Sequence, residues 1–343
     1  MAKDTMIGVD LAKTVFQVHG TSMTGQEKFH RKLSRQNFPK FMAEQPPAVV
    51  VMEACGSAHY WAREMIRLGH EVKLIAPHYV KPFVKRQKND AADAEAIVIA
   101  AQRPEMRFVE SKSAEQQSRA ILFRARERLV RQRTELVNAL RAGLYEYGHA
   151  VPQGIHQIKR IEEILDAPNS DLPDLMREEC RDLLEQIAEQ TVRINARTGK
   201  IKVLAAEADT ARRLQTIPGV GPLTALAVEA FAPPMESFSC GRDFAAWLGL
   251  VPRQFSSGGK ERLGRTSKAG QADIRRLLII GAMSRLSWLG RKSIPVDSWL
   301  ARIAARKPRM LVAIALANKM ARTIWALIAK NEDYRVPAQV APA

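Results

Sequence analysis

Short apolar runs and amphipathic stretches alternate over residues 1–104. TMIGVDLA reads as a short apolar strand ending on an acid, Asp10. VFQVHG and EKFHRKL, joined through TSMTG, read as a hairpin that follows it. QNFPKFMAEQ predicts a short helix, and AVVVMEA a buried β-branched strand that again ends on an acid, Glu53. SAHYWAREMIRLG is an amphipathic helix closed by Gly69. EVKLIAP predicts one more strand and DAADAEAIVIAAQR one more helix. Strands alternating with helices predict an α/β sheet domain, bounded at residues 1–112.

The period then changes. From Ser113 to Ala206 the pattern is long, charged and heptad-like. Leu122, Leu129 and Leu136 stand seven apart, with Val130, Val137 and Leu140 beside them, and Ile187, Ile194 and Ile201 repeat the spacing. Breaks at EYGHAVPQG and DAPNSDLPD separate the arms. Residues 113–206 therefore read as an antiparallel helical hairpin or coiled coil, with a plain helical bundle as the simpler alternative. Residues 207–333 form a third, mostly helical region, and 334–343 a frayed tail.

Charge sharpens this division. The 343 residues carry a net charge of +17, which calls for a polyanionic partner, nucleic acid first. Arg253 to Lys330 alone holds seventeen Lys/Arg against three Asp/Glu, so nearly all of the excess sits in the third region. Three scattered cysteines with no zinc spacing suit a reducing cytosol. The start MAKDTMIGVD has no apolar signal core, and Leu214–Met235, rich in proline, is a poor membrane span. The expectation is a cytoplasmic, nucleoid-associated protein with no membrane partner.

Four carboxylates stand out by position. Asp10 and Glu53 end strands, and Asp90 and Asp93 lie i, i+3 on one face of a helix. Taken singly, Asp90 reads as a plain helix cap, and Asp10 and Glu53 as ordinary strand-end polar residues. Together they can converge on a site for a hard cation such as magnesium, the ion suited to phosphoryl transfer. Glu95 points off the Asp90/Asp93 face. The order D…E…D-x-x-D resembles the ribonuclease-H-like (RuvC-like) fold of Holliday-junction resolvases, in which the first and fourth strands are neighbours. Lys85, Arg86 and Lys88 precede Asp90 and suit a nucleic-acid strand crossing the site.

TIPGVGPLTALAVEAF carries a helix-hairpin-helix pattern. Gly219 and Gly221 allow close backbone approach, and the amides at the following helix start can hold a phosphate; an ordinary helix–helix turn is the alternative. QFSSGGKERLGRTSKAG, residues 254–270, reads on composition as a flexible basic phosphate clamp. Arg253, Lys260, Arg262, Arg265 and Lys268 are its cations, and Arg275 and Arg276 on the next helix point away from the core face, free for phosphate. All seven histidines lie at or before His156 and there is no G-x-S-x-G elbow, so a serine in this stretch has no histidine base near it in sequence.

GVDLAK, MEACG, KNDAADAEA, IPGVGPLTA, FAAWLGLVPRQFSSGGKERLGRTSKAG and IRRLLIIGA occur in the order found in transposases of the insertion-sequence one-ten family, which this chain resembles, and within it the eleven-eleven subgroup. The resemblance covers roughly residues 5–330 and is weakest in the middle helices. It implies a RuvC-like DEDD domain joined through a coiled coil to a C-terminal transposase domain. By motif, Asp10, Glu53, Asp90 and Asp93 would hold Mg2+ and Ser257 would be the nucleophile, with Ser256 the adjacent alternative. It also implies cutting and rejoining of donor and target DNA, direction by a noncoding guide RNA, and a homo-oligomer, a dimer or a tetramer in the synaptic complex. Two other functions fit the same residues: a metal-dependent junction nuclease using water, and a non-catalytic nucleic-acid-binding scaffold.

Overall fold

The computed structural model describes residues 4–84, 90–168, 171–292 and 298–335. The chain forms two compact units, Met1–Gln117 and Ser118–Ala343.

The first unit is built on a six-stranded sheet. Its strands are β1 (Thr5–Leu11), β2 (Val15–Ser22), β3 (Glu27–Ser34), β4 (Val49–Glu53), β5 (Glu71–Ile75) and β6 (Phe108–Val109), in spatial order β3-β2-β1-β4-β5-β6. β1, β2 and β3 form an antiparallel meander, β1, β4 and β5 are parallel, and β6 closes the far edge antiparallel to β5. The helices are α1 (Phe38–Ala43), α2 (Ala58–Arg67), α3 (Pro77–Val80) and α4 (Asp90–Ala101). Helices cover both faces of the sheet, which is why VVVM of β4 is continuously apolar rather than alternating. Val50 and Met52 pack with Phe38, Trp61 and Met65 on one side. Val49 and Val51 pack with Ile97 and Ala100 on the other. Phe16, Phe38 and Trp61 meet edge to face at 5.0–5.2 Å between ring centroids, a favoured aromatic geometry. This mixed sheet with its helices is consistent with a ribonuclease-H-like domain. The strand β6 was not legible in the sequence because two residues, FV, give no periodicity.

In the second unit, α5 (Ala114–Glu146) and α7 (Asp174–Glu207) run antiparallel. Arg126 Nε donates to Thr198 Oγ1 at 2.8 Å and Arg133 Nη1 to Thr191 Oγ1 at 3.0 Å. Ile187, Ile194 and Ile201 are all buried; of the leucine series only Leu129 is, while Leu122 and Leu136 are half-exposed. A short helix, α6 (Ile158–Leu165), adds Ile161 and Leu165 to the core at the Leu140–Cys180 end of the pair.

The basic region comprises α8 (Asp209–Leu214), α9 (Pro222–Phe231), α10 (Gly241–Trp247), β7 (Pro252–Gln254), β8 (Leu263–Thr266), α11 (Ala272–Lys292), α12 (Trp299–Ala304) and α13 (Arg309–Lys330). α9 is buried nearly all round, which accounts for its apolar sequence. Among the described residues α13 alone is long and apolar enough to cross a membrane, and it packs Val312, Leu316, Met320 and Ile324 into the core of this unit.

Gly281 in the middle of α11 meets the turn before α9. A Cβ at residue 281 would overlap the carbonyl oxygen of Gly219, and one at 219 would stand 3.0 Å from the carbonyl oxygen of Gly281. Two backbones are therefore in direct contact, with Met320 of α13 closing over them. Gly281→Ala forces α9 and α11 apart and is expected to cost about 1–3 kcal/mol, the range for over-packing. Urea unfolding of the two proteins measures it; an unchanged midpoint contradicts the contact.

Candidate active site and nucleic-acid contacts

The parallel register of β1 and β4 pairs Val9 with Met52, so the next residues, Asp10 and Glu53, lie side by side at the carboxyl ends of neighbouring strands. In open α/β sheets this is where ligands bind. The third acid arrives by helix packing. α4 lies directly on β1, and a Cβ at Gly8 would stand 2.5 Å from the carbonyl oxygen of Ala94 and 2.6 Å from Val98 Cγ2. Only glycine lets the helix come this close, and Asp93 immediately precedes the contact residue.

The electrostatics report the convergence. Glu53 is held above the ordinary glutamate value, first by burial, then by the charges of Asp10 and Asp93. The neighbouring Cys55 thiol is raised by burial and by Glu53, with a backbone hydrogen bond opposing and Asp10 adding a smaller push. Glu95 acts elsewhere: with Glu27 it opposes the lowering of the buried His19 by desolvation. Among the described residues no group of three or more His, Cys, Asp or Glu closes into a metal-holding cluster. Asp90 opens α4, but its side chain lies outside the described residues, as do Lys85, Arg86 and Lys88. The donor chemistry fits a hard divalent cation: Asp10 and Asp93 both disfavour the charge on half-buried Glu53, where a 2+ ion would relieve it.

The stretch expected as a flexible loop is a β-hairpin. β7 pairs with β8, Phe255 N donates to Arg262 O at 2.8 Å, and Ser257 pairs with Lys260 across the tip. Gly258 and Gly259 have φ of +58° and +75°, the two positive values a type I′ turn demands, and Lys260 N donates to Ser257 O at 3.1 Å. The sequence signal was present in Ser-Gly-Gly-Lys, but the charged, nearly non-alternating strands concealed it. Ser256 is occupied: its Oγ accepts from Gln254 Nε2 at 3.1 Å and from the Arg262 amide at 3.3 Å. Ser257 is exposed at the tip, and its hydroxyl has no hydrogen-bond partner among the described residues.

The base of this hairpin is fixed. Ser267 N donates to Val251 O, Lys268 N to Gly249 O, and Asn318 of α13 to Leu250 O. Gly270 packs so tightly on α10 that a Cβ there would overlap the Trp247 carbonyl. Arg275 is not free for phosphate: its guanidinium donates to Leu248 O at 2.9 Å and Ala269 O at 2.7 Å, stapling the hairpin to α10. Arg276 is not free either, because it pairs with Glu127 of α5. Helical phase placed both off the core face, but could not reveal the carbonyls and the carboxylate that meet them there. Arg253 reaches Ser267 O at 3.4 Å, while Lys260, Arg262, Arg265 and Lys268 are exposed.

The turn between α8 and α9 divides its two glycines. Gly219, at φ +95°, spends its close approach on α11 of the same chain, rather than on a bound strand. Gly221 is extended and exposed, with no atom within 4 Å of where its Cβ would be.

A sheet that gathers acids at strand ends and a basic helical unit that raises a serine hairpin are the parts of a DNA strand-handling enzyme, and comparison with known proteins agrees. Residues 7–149 match a family described as transposase, of the DEDD IS110 type, and residues 211–294 match the transposase IS116/IS110/IS902 family. The chain is 45% identical over 331 residues to a probable family 20 transposase of Pseudomonas aeruginosa, covering 96% of this chain and 98% of that protein. It is 39% identical to the transposase for insertion sequence element IS1111A of Coxiella burnetii, over 97% of this chain and 92% of that one. It is 38% identical to that for IS1328 of Yersinia enterocolitica, over 95% and 97%. The chain belongs to the IS110 family of insertion-sequence transposases. It is a DNA transposase, and its DEDD domain points to use of a divalent metal.

Because the fold raises the Glu53 pKa, protonated Glu53 stabilises the native state. That contribution is full below the unfolded-chain value and lost as pH rises through the folded one. At neutral pH the ionised group is a net cost. Glu53→Gln is expected to raise the melting temperature in chelator-treated buffer at neutral pH, because it removes the ionised form that the fold disfavours. The gap between the proteins should close below about pH 4. Calorimetry across pH tests this; a variant that melts lower than wild type at pH 7 contradicts it.

Proposed function

We propose that this transposase cuts and rejoins DNA with Ser257 as the nucleophile. The observation that carries the choice is the hairpin tip: Ser257 is exposed with no hydrogen-bond partner among the described residues, whereas Ser256 Oγ accepts from Gln254 and, across the hairpin, from the Arg262 amide. In the reaction Ser257 Oγ bonds to phosphorus, the bond from phosphorus to the departing nucleotide oxygen breaks, and that oxygen takes up a proton. The phosphodiester energy is kept in the phosphoserine link, so a second DNA hydroxyl can attack it and release the serine without ATP.

Asp10, Glu53, Asp90 and Asp93 are the acids we assign to Mg2+. When bound, a divalent cation supplies charge neutralisation at the scissile phosphate and lowers the proton affinity of an attacking hydroxyl. The chain's own contribution is placement. Glu53 and Asp10 sit on rigid strands, Asp93 on a helix pressed against them, and the serine on a hairpin clamped at its base. Lys260, Arg262, Arg265 and Lys268 surround that hairpin with positive charge and hold DNA backbone without reading sequence. Gly221, at the start of α9, leaves amides open to a phosphate, and we read α8, the turn and α9 as a helix-hairpin-helix.

We read the α5–α7 pair as an antiparallel coiled coil and the domains as 1–112, 113–206 and 207–333. The protein is taken as cytoplasmic and nucleoid-associated. A noncoding guide RNA supplies sequence choice by base pairing, in keeping with a chain in which no base-reading module such as a zinc finger is evident. The working form is a homo-oligomer in which the acids of one subunit meet the serine of another.

Incubation of the protein with element-end DNA, the element's noncoding RNA and Mg2+ should give a covalent protein–DNA adduct on a denaturing gel. Ser257→Ala and Asp10→Ala abolish it, and Ser256→Ala leaves it in place. Cleavage that persists in Ser257→Ala with no adduct would mean that water is the nucleophile, as in a junction nuclease. Binding without any strand breakage would mean a scaffold.

A further inference from the structure

A groove of about 810 Å³ runs between β8 of the serine hairpin and helices α12 and α13. It falls within the ~300–1,000 Å³ range of clefts that enclose small ligands. Its apolar lining includes Leu250, Leu311, Ile314 and the ring of Trp299. Its charged lining is Arg265, Lys319 and Arg322, and among the described residues no carboxylate faces it. Lys319 Nζ lies 4.9 Å from the Trp299 ring centroid, so cation and aromatic surface meet at one place.

We infer that this groove takes an unpaired stretch of DNA strand, with a base against Trp299 and its flanking phosphates on Arg265, Lys319 and Arg322. Three cations with no acid select a polyanion. The aromatic and aliphatic lining selects among polyanions, because a duplex hides its base faces in the stack and gains nothing from apolar wall. An unstacked base does gain, which is why aromatic platforms beside basic grooves serve single strands. A strand cut as proposed has a free end that can leave its duplex, so the proposed reaction can supply such a segment. The choice of DNA rests on the Ser257 reading: Pro252, Gly264 and Thr266 line the groove and belong to the ribbon that carries that serine. The strand in the groove is therefore the strand beside the nucleophile.

Fluorescence anisotropy with the full-length protein tests this, using a labelled strand of roughly 15 nucleotides as DNA, the same sequence as RNA, and the DNA duplex. Trp299→Ala should weaken single-stranded DNA by about tenfold while Trp299→Phe keeps most of the affinity. Arg322→Gln should lower the slope of log affinity against log salt by about 0.7, the single-strand value for one phosphate contact. Duplex affinity should move less than about twofold in all three. Ser257→Ala should bind every probe as wild type does, so failure of the serine assignment appears only in the adduct assay. Equal loss for duplex and single strand, no loss in Trp299→Ala, or a loss confined to RNA overturns the inference. Should Trp299→Ala melt well below wild type, the Arg322→Gln salt slope and the Trp299→Phe affinity decide it.

Discussion

The first unit depends on the absence of one carbon atom. At Gly8 the backbone of β1 and the backbone of α4 are in contact, closer than any Cβ permits. That contact sets the height of α4 above the sheet, and with it the distance from Asp93 to Asp10 and Glu53. The strands alone give a pair of carboxylates, and only the helix at this depth makes three. The cost is visible in the raised pKa of Glu53. Active sites commonly carry such a cost, which stability optimised by itself would remove. In this unit it is borne by a sheet covered on both faces, where strand and helix cannot drift apart to relieve it.

The second unit handles the opposite problem. The serine proposed as nucleophile has to stand clear of the protein to meet DNA, yet an exposed two-stranded ribbon is marginal in isolation. The hairpin answers this by dividing itself. Its tip is exposed, while its base is fastened through Gly249, Gly270, Asn318 and Arg275. The same arginine that the helical pattern assigns to phosphate is one of these fasteners. Side chains near nucleic acid are easily credited to it, and Arg275 is a case where the protein's own carbonyls claim the charge first.

The sequence was a good guide wherever periodicity or composition carried the information. Strands β1, β2, β3, β4 and β5 and helices α2 and α4 lie where the short apolar runs and helical stretches of the sequence put them, and Asp10 and Glu53 could be seen to end strands. Three things were illegible for physical reasons. The short edge strand β6 has no period to detect. The hairpin β7–β8 is exposed on nearly all sides, so no buried face imposes alternation on it. The partners of Arg275, Arg276 and Gly219 come from residues between about 6 and 149 positions away, beyond the reach of any local pattern. The order of the motifs, by contrast, was enough to indicate the family without any structure.

The unpartnered hydroxyl of Ser257 has a consequence for the element's host. Hydrolases with a built-in triad carry a serine primed at all times, and any suitable bond that diffuses in is at risk. With Ser257 as the nucleophile, the resting chain instead carries an exposed alcohol with no hydrogen-bond partner among the described residues. On the proposed reading, in which the acids of one subunit meet the serine of another, a lone molecule is inert toward the DNA it meets. The safeguard against stray breaks would then be the plain chemistry of an unassisted hydroxyl rather than an inhibitor or a lid.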